Sequence, residues 1–143
     1  MLKLVIDTNV FISSLISKKG SPRKILDIVF DNKVDFFISA KILDEYKRVL
    51  SYKKLERFIK KEDREKLLTF IEKHAYFVVP QRTFKIIKDE DDNMFLDCAV
   101  ESKADYIITG NTNDFTMSEF MDIKILTPTE FIMLNSLTEK EKV

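Results

Sequence analysis

Short apolar runs alternate with longer amphipathic ones along this chain. Leu2 to Ile6 is apolar and β-branched apart from Lys3, the pattern of a strand buried on both faces. Asp7-Thr8-Asn9 follows, and Val10 to Ile16 suits a helix. Gly20-Ser21-Pro22 predicts a turn and a helix start, with Ser21 capping and Pro22 in the first turn, running to about Phe30. Val34 to Ser39 reads as a second strand. From Ala40 to about Lys54, Ile42, Leu43, Tyr46, Val49 and Leu50 form one apolar stripe at helical spacing. Glu62 to Lys73 is a further helix, and Tyr76 to Val79, stopped by Pro80, a third strand. A strongly apolar helix spans Asp92 to Lys103. Strands at Asp105 to Thr109 and Ile123 to Leu126 and a helix from about Thr129 to Leu137 complete the series.

Strands that alternate with helices predict a three-layer α/β/α sandwich. Its central sheet is mainly parallel, has about five strands and is covered on both faces. In such sheets ligands bind beyond the carboxyl ends of the strands, where the strand order reverses. Residues 1–137 read as one domain and Thr138 to Val143 as a charged, disordered tail.

Composition agrees with a folded domain. The chain has 143 residues, 45% of them hydrophobic and 34% charged, which excludes a disordered polyelectrolyte. Its single cysteine, Cys98, cannot close an internal disulfide, so a cytoplasmic location is expected. No apolar run approaches the roughly 20 residues of a membrane span, and the first residues turn acidic too soon for a signal peptide. Net charge is zero but segregated. Residues 1–40 carry six basic against four acidic groups, 41–88 fourteen against seven, and 89–143 four against thirteen. A basic middle suits phosphates and an acidic last third suits cations.

Candidate chemistry gathers at the strand ends. The first strand ends in Asp7, and a carboxylate at the end of a buried strand is expensive without a partner. The fourth ends in Thr109-Gly110-Asn111-Thr112-Asn113-Asp114. Glu45, near Val49 at the edge of its helix's apolar stripe, and Asp92, at the start of the next acidic helix, can reach the same edge. Acids forced together raise each other's pKa. A divalent cation such as magnesium or manganese removes that conflict and can activate water against a phosphodiester. At about 100° per residue, Asp92 shares the inward face of Leu96 and Ala99, and Asp97 lies nearly opposite. Asp92 also suits a helix cap.

The segments Leu-Val-Ile-Asp-Thr-Asn-Val-Phe at 4–11, Ile-Ser-Ala-Lys-Ile-Leu-Asp-Glu-Tyr at 38–46, Asp-Glu-Asp-Asp-Asn-Met-Phe-Leu-Asp-Cys-Ala at 89–99 and Ala-Asp-Tyr-Ile-Ile-Thr-Gly-Asn at 104–111 occur in one order. In that order they resemble the PIN-domain family, the fold of VapC-type toxins and many RNA-processing nucleases. The resemblance implies a Mg2+- or Mn2+-dependent endoribonuclease acting on single-stranded RNA. It assigns Asp7, Glu45 and Asp92 as acidic site residues, with Asp97 where related chains often carry another acid. The fourth family acid falls near 111, where this chain has Asn111, with Asp114 three residues later; either completes the site. Thr8, Asn9 and Thr109 are implied to orient the acids. Family members usually pair as homodimers, and the toxins bind a small antitoxin protein.

Two rivals remain. A haloacid-type aspartate phosphatase needs a second Asp where this chain has Asn9. A PIN module that binds RNA or protein with weakened catalysis is favoured by Asn111. The densest basic run, Lys53, Lys54, Arg57, Lys60 and Lys61, followed by Arg64, is a candidate RNA-phosphate surface whose affinity would fall steeply with salt. Tyr52 and Phe58 are placed to stack on bases. Tyr46 is expected in the core, Cys98 as a buried small hydrophobe, and His74 at a helix end on the surface.

Overall fold

A computed structural model of the chain describes residues 1–87, 90–110 and 117–141, without the side chains of residue 90 and of 136–141. Six strands form one sheet: β1 (Lys3–Ile6), β2 (Asp35–Ile38), β3 (Tyr76–Phe77), β4 (Tyr106–Ile108), β5 (Glu119–Phe120) and β6 (Ile123–Leu126). The helices are α1 (Thr8–Ile16), α2 (Ser21–Phe30), α3 (Ala40–Leu50), α4 (Lys61–His74), α5 (Glu90–Ser102) and α6 (Pro128–Glu141). The strand order is β3-β2-β1-β4-β6-β5, and every pair is parallel except β5 with β6.

The central strands are buried because they lack polar faces. Leu4, Val5 and Ile6 point alternately to opposite faces and all three are inaccessible, so β1 is covered on both sides. α5 packs on β1, β2 and β4 through Phe95, Leu96 and Ala99. α1 packs on α2, and α2 on α6, which lies against β6. Of the core aromatics, Phe11 meets Tyr46 edge to face at 5.2 Å.

Several boundaries differ from the sequence reading. The sheet gains β5, two residues that fold back on β6 across a turn in which Met121 and Asp122 adopt positive φ. Asp122 tolerates that region, but Met121 beside it hides the turn signal. Ser21 does not cap α2. Gly20 occupies the cap position at φ 101°, which only glycine adopts without strain, and Ser21 is already helical. α3 ends at Leu50, before Lys54: the Ser51 hydroxyl turns back to donate to the Lys47 carbonyl, and a short 3-10 turn, Lys53–Leu55, follows. α5 starts at Glu90, so Asp92 lies inside its first turn rather than capping it. α6 continues to Glu141, past Leu137, carried by the helix-forming run Thr138 to Glu141.

Candidate active site

The chain leaves β1 to form β2 and β3 on one side and later returns to place β4 on the other. Strand order therefore reverses between β1 and β4, and a crevice opens beyond their carboxyl ends. Ile6 is in register with Ile108, so the next residues on each strand, Asp7 and Thr109, come side by side. The Asp7 N–H donates to the Ile108 carbonyl at 2.8 Å. The Thr109 hydroxyl donates to Asp7 Oδ2 at 2.7 Å.

Asp7 is only 7% exposed. Burial pushes its carboxyl up to about 6; the Thr109 hydroxyl works against that shift, nearby Glu45 adds to it, and the backbone N–H groups of Thr8 and Asn9 oppose it. Glu45 arrives on α3. Ser39 caps that helix by accepting from the Ile42 N–H, directly after β2. The buried Tyr46 hydroxyl donates to the Ile6 carbonyl at 2.5 Å and so ties α3 to the end of β1. Glu45, one residue earlier, is thereby held beside Asp7, its side chain 14% exposed. The Thr8 hydroxyl donates to Glu45 Oε2 at 2.5 Å. Asn9 Oδ1 accepts from the Gly110 N–H at 3.2 Å, fastening the start of α1 to the residue after Thr109.

α5 brings a different set. Asp92 is half-buried in its first turn. Asp97 is more buried, at 8% exposure, although helix geometry puts it on the face away from the sheet. The segment 78–87 lies across the other side of α5. Asp97 Oδ1 accepts from the Phe84 N–H at 2.7 Å, Asn93 Oδ1 accepts from the Ile86 and Ile87 N–H groups at 3.1 and 2.9 Å, and Glu101 Oε1 accepts from the Gln81 N–H at 2.7 Å. Residues 93, 97 and 101 are four apart, so they form one polar stripe that pins this segment.

Asp7, Glu45, Thr8, Asn9 and Thr109 are thus brought together. Asn111 and Asp114 lie outside the described residues. Among the described residues no group of three acids, histidines or cysteines is placed to hold a metal ion. Glu45 and Asp97 line one cleft of about 570 Å³ with Lys41, Arg48 and Lys85. All three belong to the basic segment 41–88 expected to suit phosphates, but lie outside its densest run. Arg48 stands three residues after Glu45 and Lys41 four before it, a spacing that would have revealed both. Lys85 had no such signal.

Lys53, Lys54, Arg57, Lys60 and Lys61 are all exposed, and Lys61 pairs loosely with Glu65 at 3.8 Å. Lys53 and Lys54 lie past the end of α3, in the short 3-10 turn. Phe58 is 60% exposed with Arg57 over its ring at 5.9 Å. Tyr46 and Cys98 are core residues, and burial pushes the Cys98 thiol up to about 12, an unreactive state. His74 is exposed at the end of α4, stacked on Phe70.

An α/β sandwich with coupled carboxylates at the switch point of a parallel sheet defines a strand-end acidic-site protein. The model of the PIN domain family matches residues 3–113. This chain belongs to the PIN-domain family, whose members are generally nucleases. It is 39% identical over 140 residues to an uncharacterized protein of Methanocaldococcus jannaschii, covering 92% of this chain and 90% of that one. Its fold is similar to a chain of the VapBC2 complex of Rickettsia felis, solved bound to a DNA fragment from the promoter of its genes. That match has a TM-score of 0.57 at 16% identity and covers 88% of this chain and 98% of that one. No helix among the described residues is long and apolar enough to cross a membrane.

Proposed function

We propose that this protein is a divalent-metal-dependent endoribonuclease that cleaves phosphodiester bonds of single-stranded RNA. The pairing of Asp7 with Glu45 carries the reading. The two come from β1 and α3, and the more buried of them is pushed up to about 6. A desolvated carboxylate beside a second one is a conflict that a hard cation relieves, and oxygen donors of this kind suit Mg2+ or Mn2+. Asp7 and Glu45 would hold the ion; no third acid among the described residues joins them, so Asp92, Asp97, Asn111 or Asp114 would have to complete the set. Bound there, a divalent ion supplies an activated water and neutralises charge on the phosphate.

The chain's own residues do the rest. At neutral pH Asp7 is mostly ionised, ready to act as a ligand. Thr109 and Thr8 fix the orientation of the two carboxylates through their hydroxyls. Tyr46 and the Ser39 cap hold Glu45 against the end of β1. Residues 78–87, pinned to α5, wall the cleft beside the acids.

The fold likeness to a VapBC chain supports a toxin role with a small antitoxin protein as partner, acting in the cytoplasm. We also place the chain in a homodimer, for which light scattering should give twice 16.8 kDa. A second reading, a PIN module that binds RNA or protein with weakened catalysis, is favoured by Asn111, an amide at the position where the family resemblance places the fourth acid. Labelled single-stranded RNA incubated with Mn2+ and either wild type or Asp7→Asn separates the readings. The nuclease reading expects cleavage by wild type and a loss of at least about 100-fold in the variant, since groups one step removed from a metal already cost 10–100-fold. Cleavage by neither leaves the binding module; equal cleavage by both rejects the site.

A further inference from the structure

Lys41, Glu45, Arg48 and Tyr52 follow at spacings of four, three and four, so they share one face of α3 and its C-terminal extension. Lys41 and Arg48 line the cleft that holds Glu45, together with Lys85 from the pinned segment. Lys41, Lys54 and Lys85 form no ion pair among the described residues. Arg48 meets Glu45 at 3.5 Å with its side chain 56% exposed, a weak and solvent-screened pair. Arg48 also donates to the Tyr52 hydroxyl. Its guanidinium stands 5.7 Å from the centre of the Tyr52 ring, and the Lys54 ammonium 5.5 Å from the same centre. The Tyr52 ring thus has two cations close to its centre. The line runs from the carboxylate pair outward to the basic segment.

Asp44, Glu45, Asp91 and Asp97 line the same cleft and would repel a polyanion. A nucleic-acid strand can approach the acids only where cations offset them. Building on the reading of the protein as a single-strand ribonuclease, we propose that this face of α3 is its strand-holding track. Lys41, Arg48 and Lys85 contact the phosphates that flank the bond cut. Tyr52 is a positioning residue that sets Arg48 beside Lys54 for the next phosphate. Of the basic run 53–61, Lys54 is the member that the track shares.

The test measures binding of a fluorescent single-stranded oligoribonucleotide to full-length protein stripped of divalent ions, so that the strand stays intact, over a series of monovalent salt concentrations. Wild type is compared with Lys41→Gln/Arg48→Gln/Lys54→Gln/Lys85→Gln. A control with the same charge change carries Lys18→Gln/Lys19→Gln/Lys24→Gln/Lys33→Gln, exposed lysines that do not line the cleft. Each phosphate contact on a single strand contributes about 0.7 to the slope of log affinity against log salt. The track variant should lose roughly two to three from that slope while the control keeps it. Equal slopes in the two variants would overturn the track and leave the RNA reading standing. No binding by wild type at any salt would overturn the RNA reading and the track with it.

Discussion

Asp7 is a liability to the metal-free fold, and that makes it measurable. Its carboxyl sits at about 6 in the folded chain against an ordinary value of 3.8, so the folded state keeps a proton that the unfolded state has already lost. The resulting stabilisation is present in full below pH 3.8 and disappears as pH rises through about 6. Above that, the ionised Asp7 costs about 3 kcal/mol, from a shift of about two pKa units at 1.36 kcal/mol each. Asp7→Asn keeps an oxygen for the Thr109 hydroxyl and removes the charge. Urea unfolding of the metal-free protein should therefore find the variant more stable at pH 7 by up to that amount, with a flatter profile between pH 4 and 6; a less stable variant would refute the assignment. At Thr8 the expectation concerns Glu45. Thr8→Val removes the hydroxyl that holds Oε2, and Mn2+ affinity should drop about 10–100-fold with little change in the melting temperature. Unchanged affinity would leave Thr8 without a role in orienting Glu45.

At the scale of elements, the stripe Asn93, Asp97 and Glu101 explains how residues 78–87, with little regular structure beyond two strand residues upstream, keep a defined path. Asn93→Ala would strip the acceptor from the N–H groups of Ile86 and Ile87, and Ile87 is buried. A loss of about 2–4 kcal/mol is expected, with faster amide exchange at both residues. Asp97 separates two roles. If it serves to pin Phe84, Asp97→Asn keeps an acceptor and Mn2+ affinity within a few-fold of wild type; a loss beyond about 100-fold would make it a metal ligand instead. The elements themselves were largely legible. Apolar runs gave β1, β2, β3, β4 and β6, and helical stripes all six helices, because strands buried in a parallel sheet read as continuous apolar runs and half-buried helices as stripes. β5 was not legible: two residues that pair through a turn without Gly leave no pattern. The stripe on α5 was present in the sequence at four-residue spacing, but its partners are backbone N–H groups of an irregular segment, which side-chain types do not announce.

Across the whole molecule, the site follows from topology. The register of Ile6 with Ile108 and the Tyr46 tie to Ile6 join positions 7, 45 and 109. Asp7 and Glu45 could be picked out as strand-end and helix-edge acids before any coordinates. The hydroxyls that orient them were implied by the family resemblance alone; the basic character of 41–88 was legible, but that Lys85 joins Lys41 and Arg48 at the acids' cleft follows only from the placement of the pinned segment. The acidic last third and basic middle meet at this cleft, where Asp91 and Asp97 face Lys41, Arg48 and Lys85. The central claim is that the Asp7–Glu45 pair is a divalent-cation site. Calorimetric titration of Mn2+ into the metal-free protein at pH 7.5 tests it most directly. Wild type should bind, more weakly as pH falls through about 6 where the proton competes for Asp7, and Asp7→Asn should not bind. Binding of equal strength by Asp7→Asn, or none by wild type at millimolar Mn2+, would contradict the account.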